Sequence, residues 1–132
     1  FTDLQAAFGC EQMNRLPKVV NRKKEIYTAY RRLLGDTCEF VATNVRTTTP
    51  TYPEILVDDR DALAEHLRSQ NIGCRAVYSS LAKQPYHGSR FARHAPVTER
   101  IGSRGLQLPG QANLTDADIV SVCTAIKDYY KQ

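Results

Sequence analysis

The segment Phe1–Leu16, FTDLQAAFGCEQMNRL, commits the start of this chain to helix. Thr2 stands three residues before Gln5, the spacing at which a hydroxyl accepts a first-turn amide while the longer side chain reaches back to the cap. Phe1 is placed to staple that turn from outside. Pro17 constrains the next turns, because it has no amide to donate: it either opens a second helix at its first position or kinks one continuous helix. From Pro17 to Leu34, the residues Val19, Val20, Ile26, Tyr27, Tyr30, Leu33 and Leu34 recur near helical spacing, and Gly35-Asp36 closes the run. A leading helical pair over residues 1–35 is expected. A cap at residue 2, with no Met at residue 1, predicts a segment of a longer chain.

Beyond residue 36 the punctuation changes. Cys38–Thr43 and Tyr52–Val57 read as strands, separated by the Thr-rich, Pro-containing stretch Asn44–Pro50. Pro53 makes the start of the second an edge or lead-in position. Asp58 or Asp59 can cap a helix on which Leu63 and Leu67 sit four apart on one face. Asn71–Gly73 turns the chain into a third strand, Cys74–Tyr78. A loop over Ser79–Ala95 carries Lys83, Gln84, Tyr86, His87, Arg90, Arg93 and His94. A short helix over Pro96–Arg104 and a strand over Leu106–Leu108 come next. Thr115 with Asp118 caps a final helix whose Ile119, Val122, Cys123, Ile126 and Tyr130 form one apolar stripe. The order predicts an α+β fold: a two-layer sandwich in which helices cover a small, mostly antiparallel sheet.

With 132 residues, 42% of them hydrophobic, the chain suits one domain with a core of ordinary size. Its net charge of +4 helps to draw in anions but falls short of a nucleic-acid signature. No apolar run approaches the roughly 20 residues of a membrane span, and no signal-peptide pattern is present, so the expected place is the cytoplasm. Cys10, Cys38, Cys74 and Cys123 form no C-x-x-C pair, and reduced, buried thiols are expected. His87 and His94 lack further ligands at metal-binding spacing. Ser80-Leu81-Ala82-Lys83 spells S-x-x-K, a nucleophile-and-base pair elsewhere, without the companion motifs such chemistry needs. The basic cluster Arg15, Lys18, Arg22, Lys23 and Lys24 reads either as a phosphate patch or as a solvated helix face with Glu25 as a partner; the second is the commoner case.

Several short motifs stand in one order along nearly the whole chain. They are T-D-x-Q-A-A at Thr2–Ala7, YPEILVDDR at Tyr52–Arg60, a D-x-L-x-x-x-L helix from Asp61, I-G-x-R at Ile72–Arg75, Gln84-Pro85-Tyr86, and Leu108-Pro109 followed by LTDADI at Leu114–Ile119. Together they resemble the pyridoxal-phosphate-dependent sugar aminotransferases of the DegT and DnrJ type, within the aspartate aminotransferase fold type I superfamily. The resemblance covers the C-terminal small domain of such enzymes. It implies a helical segment over 1–35 and an α/β part over 36–132, acting as a single domain.

Aminotransferases of this kind need a lysine for the internal aldimine, an Asp against the pyridine nitrogen and a phosphate cup. The resemblance places all three upstream of this segment. None of Lys18, Lys23, Lys24, Lys83, Lys127 or Lys131 stands in the Schiff-base context, so no catalytic or cofactor-binding residue is expected here, and pyridoxal phosphate is implied only for the full-length family. The small domain is expected to supply one wall of the cleft and part of a subunit interface. The residues that match that wall are Arg75, Tyr78, Gln84 and Tyr86, with Arg75 either binding the diphosphate or hydroxyls of a nucleotide-linked sugar or standing as an ordinary exposed strand residue. Ala82 occupies the position of the family's loop histidine. Two functions stay open: part of a longer or split transaminase that works with a cofactor-domain partner, or a non-catalytic binding or oligomerisation module. Nucleic acid and membranes are not expected partners.

Overall fold

The computed structural model describes residues 1–87 and 95–131. Its first element is one continuous helix, α1 (Asp3–Leu34), with Pro17 inside it. The expected helical pair is therefore a single rod, in which Pro17 forfeits its own hydrogen bond and the helical residues on either side carry the rod through. The capping box is formed: the Gln5 amide donates to the Thr2 hydroxyl at 3.4 Å, and the Thr2 amide donates to Gln5 Oε1 at 2.8 Å. Phe1 is fully exposed, so the staple is not made. The rod has two unlike parts. Residues 1–18 are exposed apart from half-buried Ala6, whereas Ile26, Tyr27, Tyr30 and Leu34 are buried in the core.

The sheet consists of β1 (Glu39–Phe40), β2 (Glu54–Leu56), β3 (Arg75–Ala76) and β4 (Gly105–Gln107), in the order β1-β2-β4-β3 with every pair antiparallel. The strands are shorter than their apolar runs, but single backbone bonds prolong them: Val41 to Glu54 at 3.1 Å, Val77 to Gly105 at 2.9 Å and Leu108 to Pro53 at 2.9 Å. Pro53 holds the expected lead-in position, although the strand it introduces is internal to the sheet. Directly paired residues share a face of a sheet. Phe40, Ile55 and Leu106 therefore point the same way, all buried, and meet Ile26, Tyr30, Leu63, Leu67, Ile119 and Ile126 in the core. Those residues belong to α1, α2 (Arg60–Ser69) and α4 (Asp116–Tyr129), and α4 packs against both of the other helices. The opposite face of the same strands carries Glu54, Gln107 and Arg75. The α+β class and antiparallel sheet are as expected.

The helix α3 (Pro96–Arg104) matches its expected bounds and lies against β2 and β4. Gly102 permits close approach: a Cβ there would lie 3.1 Å from the Tyr78 carbonyl oxygen. Arg60 reaches the Gly102 carbonyl at 2.8 Å and ties α2 to α3. Among the described residues no helix is long and apolar enough to cross a membrane.

Three expectations need correction. Asp59 stands at the N-cap of α2 but makes no side-chain cap bond; its carboxylate instead accepts the Tyr130 hydroxyl at 2.8 Å. Tyr130 accordingly leaves the apolar stripe of α4, whose Ile119, Val122, Cys123 and Ile126 are buried. All four cysteines are free thiols, yet Cys10 is exposed and Cys74 only half-buried, while burial pushes Cys38 and Cys123 up to about 11.

Partial burial raises the Asp59 carboxyl, but hydrogen bonds from the Tyr129 and Tyr130 hydroxyls and from its own backbone outweigh that and hold it below the ordinary range. A carboxylate held down in this way stabilises the fold above the ordinary Asp value of about 3.9 and loses that contribution as pH falls through its folded-state value. The stability deficit of Tyr130→Phe should therefore be full near neutral pH and shrink below about pH 4. Urea midpoints of the two proteins across pH check this.

Candidate functional site: a tethered guanidinium on the open face of the sheet

On the face of the sheet turned away from the core, three paired residues form a polar row. The Gln107 side-chain amide donates to Glu54 Oε1 at 2.8 Å, and Arg75 Nε donates to Gln107 Oε1 at 3.1 Å. The row follows from register, since Gln107 on β4 stands opposite both Glu54 on β2 and Arg75 on β3. Gln107 is one of two buried polar residues among those described, and both ends of its amide are used. A buried neutral linker that is bonded at both ends fixes the direction of the guanidinium more firmly than a solvated partner would.

Aromatic rings flank the same guanidinium. Arg75 Cζ lies 5.2 Å from the Tyr78 ring centroid and 5.8 Å from that of Tyr52, both within cation–π range. Lys23 Nζ sits 5.3 Å from the Tyr52 centroid and donates to the Thr51 carbonyl at 2.7 Å. Beside this group lies a cleft of about 270 Å³ lined by Tyr52, Gly73, Cys74, Arg75, Gln107 and Pro109 among others. With Nε engaged, the two terminal nitrogens of Arg75 remain to meet a planar anion in the bidentate geometry that arginine favours.

Of the four residues expected at the cleft wall, Arg75 and Tyr78 are brought together. Gln84 turns back to donate to the Ser79 hydroxyl at 2.9 Å, and Tyr86 is exposed within a 3-10 turn at Pro85–His87. Sequence reasoning missed Tyr52, Glu54 and Gln107, because their relation to Arg75 exists only once β4 pairs on both sides. Arg90, Arg93 and His94 lie outside the described residues. Ser80 is buried and Lys83 faces Glu99 at 3.6 Å, so the S-x-x-K spelling belongs to a 3-10 turn (Leu81–Lys83) tied to α3. Within the basic cluster, Arg22 bonds Glu25 at 3.2 Å, Asp116 at 2.8 Å and the Leu114 carbonyl at 2.6 Å, which fastens α1 to the start of α4. Among the described residues no group of three His, Cys, Asp or Glu is placed to hold a metal.

Residues 1–127 match the DegT/DnrJ/EryC1/StrS aminotransferase family. The chain belongs to this family. Among its relatives, GDP-perosamine synthase of Escherichia coli O157:H7 is 25% identical over 98% of this chain and 36% of that enzyme. The dTDP-4-dehydro-2,3,6-trideoxy-D-glucose 4-aminotransferase of Saccharopolyspora spinosa is 30% identical over 91% of this chain and 32% of the enzyme. The putative sugar aminotransferase Spr1654 of Streptococcus pneumoniae, solved in a PLP-form, has the same fold over 99% of this chain and 36% of its own, with a TM-score of 0.86 at 17% identity. The chain thus spans about a third of the length of the family members it matches.

Pyridoxal phosphate is the group this membership implies, and the cleft does not fit it. No lysine lines the cleft beside Arg75, and the carboxylate of the polar row is already bonded to Gln107. Lys83 and Lys131 are paired with Glu99 and Asp128, and Lys23 bonds a backbone carbonyl.

Gln107→Leu should cost about 1–3 kcal/mol, because it strips Glu54 of its donor and frees Arg75 Nε. Urea unfolding measures the loss. Gln107→Glu should cost more, since it sets a second carboxylate against Glu54.

Proposed function

We propose that this chain is the small domain of a pyridoxal-phosphate-dependent aminotransferase that acts on nucleotide-linked sugars. It contributes one wall of the substrate cleft, while the Schiff-base lysine, the ring partner and the phosphate cup come from a cofactor domain attached to it or supplied in trans. The observation that carries this reading is the guanidinium of Arg75, tethered through Gln107 and flanked by Tyr52 and Tyr78 beside a cleft that holds no lysine. A group oriented in this way suits the anionic or hydroxyl-bearing part of a substrate, not the reacting carbon. Tyr78 flanks that guanidinium, and Gln84, whose amide donates to Ser79, and Tyr86 are the loop residues that we propose extend the wall towards a partner domain. Residues 1–35 are the leading helical segment and residues 36–132 the α/β part of one domain, working in the cytoplasm.

In that setting the chain alone forms no aldimine. Mixed with pyridoxal phosphate, it should show no stoichiometric visible Schiff-base band, and no amino transfer from glutamate to a nucleotide-linked keto sugar. A single lysine trapped by borohydride and mapped by mass spectrometry would contradict this reading. Addition of a cofactor domain from the family should restore amino transfer, and Arg75→Ala should then lower kcat/KM by about tenfold or more.

A second reading, a freestanding oligomerisation module, has its own support. Leu4, Phe8 and Met13 on α1 are each about two-thirds exposed, and Leu16 is 44% exposed. Residues 3–18 extend for roughly 24 Å at ~1.5 Å per residue, and apolar surface of that extent on a helix normally meets a partner. Either a cofactor domain or a second copy serves. The isolated chain is expected to form dimers or larger species at tens of micromolar by light scattering, and Leu4→Glu with Phe8→Glu should return it to monomer. A wild-type monomer at that concentration would leave the module reading without support.

A further inference from the structure

The helical layer carries a surface that the polar row does not explain. Where α1 packs against α4, two hollows of about 520 Å³ and 1200 Å³ adjoin, and Arg22 and Glu25 line both. Together they make one furrow along α1 from Arg15 to Leu33, roughly 27 Å at ~1.5 Å per residue. It shares no residue with the cleft beside Arg75. Its floor is apolar: Val19, Ala29, Leu33 and Leu114 are half-buried, and Val120 is 52% exposed. Its charges are one-sided. Both carboxylates in the lining, Glu25 and Asp116, are held by Arg22 at 3.2 Å and 2.8 Å. Arg15, Lys18, Lys24 and Arg32 line the furrow too, and none of them forms an ion pair among the described residues. The furrow therefore sets uncompensated cations beside an apolar floor.

We propose that the furrow between α1 and α4 docks an acidic amphipathic helix of a partner polypeptide, whose apolar stripe lies on Val19, Ala29, Leu33 and Val120 and whose carboxylates meet Arg15, Lys18 and Arg32. A small anion would answer the cations but leave the floor bare, and a flat bilayer does not enter a furrow between two helices. A helix with an apolar stripe flanked by carboxylates answers both, and roughly 18 residues of it match the furrow's length. Covering the half-buried floor removes apolar surface from water, while the rim charges select an acidic partner over a basic one. Arg22 ties the two walls together through Asp116 and the Leu114 carbonyl, so the furrow keeps its shape before the partner arrives. The proposal does not rest on the cleft-wall reading.

The test is the binding of labelled peptides to the 132-residue chain, read by fluorescence anisotropy and mapped by amide NMR. One peptide is a helix of roughly 18 residues with leucines along one stripe and glutamates beside it. A second carries lysines in place of those glutamates, and a third is a scramble of the first with no stripe. Only the acidic amphipathic peptide is expected to bind, shifting amides along the furrow and weakening as salt rises. Arg15→Glu should weaken it about three- to tenfold, whereas Arg68→Glu, the same charge change at an exposed position on α2, should leave it within about twofold. Val120→Glu should weaken it about tenfold or more, because it sets a carboxylate on the apolar floor. Circular dichroism checks each fold; should Val120→Glu fail to fold, Arg32→Glu at an exposed position takes its place, with a loss of about three- to tenfold expected. No binding by the acidic peptide, equal binding by the lysine or scrambled peptide, or equal losses in Arg15→Glu and Arg68→Glu overturns the proposal. Co-sedimentation with phosphatidylglycerol vesicles and sedimentation velocity of the chain alone test the other occupants. Vesicle binding or self-association that Val120→Glu abolishes, in place of peptide binding, gives the furrow to a membrane or to a second copy and overturns the proposal as well.

Discussion

The insertion of β4 between β2 and β3 is the constraint on which both faces of this molecule depend. Only three residues, Gly105–Gln107, make the strand, yet each neighbour contributes an antiparallel ladder to it. Side chains alternate across a strand, so adjacent residues of β4 serve opposite purposes. Leu106 is fully buried between Ile55 and the helices, and Gln107 holds Glu54 and Arg75 on the other side. A slip of one residue would bury the amide in the apolar core and turn Leu106 onto the polar face. The register that secures the core is therefore the register that aims the guanidinium. Gly105 contributes by its lack of a side chain, since a Cβ there would come within 2.7 Å of the Val77 side chain on the β3 side.

Local signals in the sequence reported what local physics decides. The two capping boxes at Thr2 and Thr115, the bounds of α3 and the core face of α2 are all set by residues within a few positions of each other, and all are present as expected. Pro17 was ambiguous because the cost of one missing hydrogen bond does not by itself say whether a helix stops, and here the flanking turns continue through it. Asp59 shows the limit of cap reading: the right residue type stands at the right position, but a hydroxyl 71 residues away takes its carboxylate. The site shows the same limit more sharply. Arg75 and Tyr78 could be picked out by the family resemblance, but Tyr52, Glu54 and Gln107 have no evident relation to Arg75 until strand order is known. Gln84 had the right context and turned to Ser79 instead.

The helix α1 links these two levels. Its second half is part of the core, through Ile26, Tyr27, Tyr30 and Leu34, and is fastened at the side by Arg22 to Asp116 and by Lys23 to the Thr51 carbonyl. Its first half stays exposed within the described chain, although it carries Leu4, Phe8 and Met13. A helix in isolation gains little from propensity alone, and most helical stability in proteins comes from packing one face. The exposed half is therefore held in helical form by continuity with the packed half and by its capping box.

The charge pattern around the cleft reflects what the sheet tolerates. A carboxylate in place of Gln107 would pair with Arg75 and neutralise it, at the cost of facing Glu54 across β2. The neutral amide avoids both outcomes: it donates to Glu54, accepts from Arg75, and leaves the guanidinium with its full charge at the open edge. Arg75 stays exposed, and Tyr52 and Tyr78 lie at its flanks without cancelling its charge, since the ring faces attract a cation but contribute no formal negative charge. Arg75 forms no ion pair among the described residues, whereas Arg22, Arg60, Arg100 and Arg104 meet carboxylates at 2.6–3.3 Å, so its orientation by Gln107 adds little to stability through charge pairing. In the cleft-wall reading proposed above, this uncancelled charge is what the sheet offers to an anionic part of a substrate.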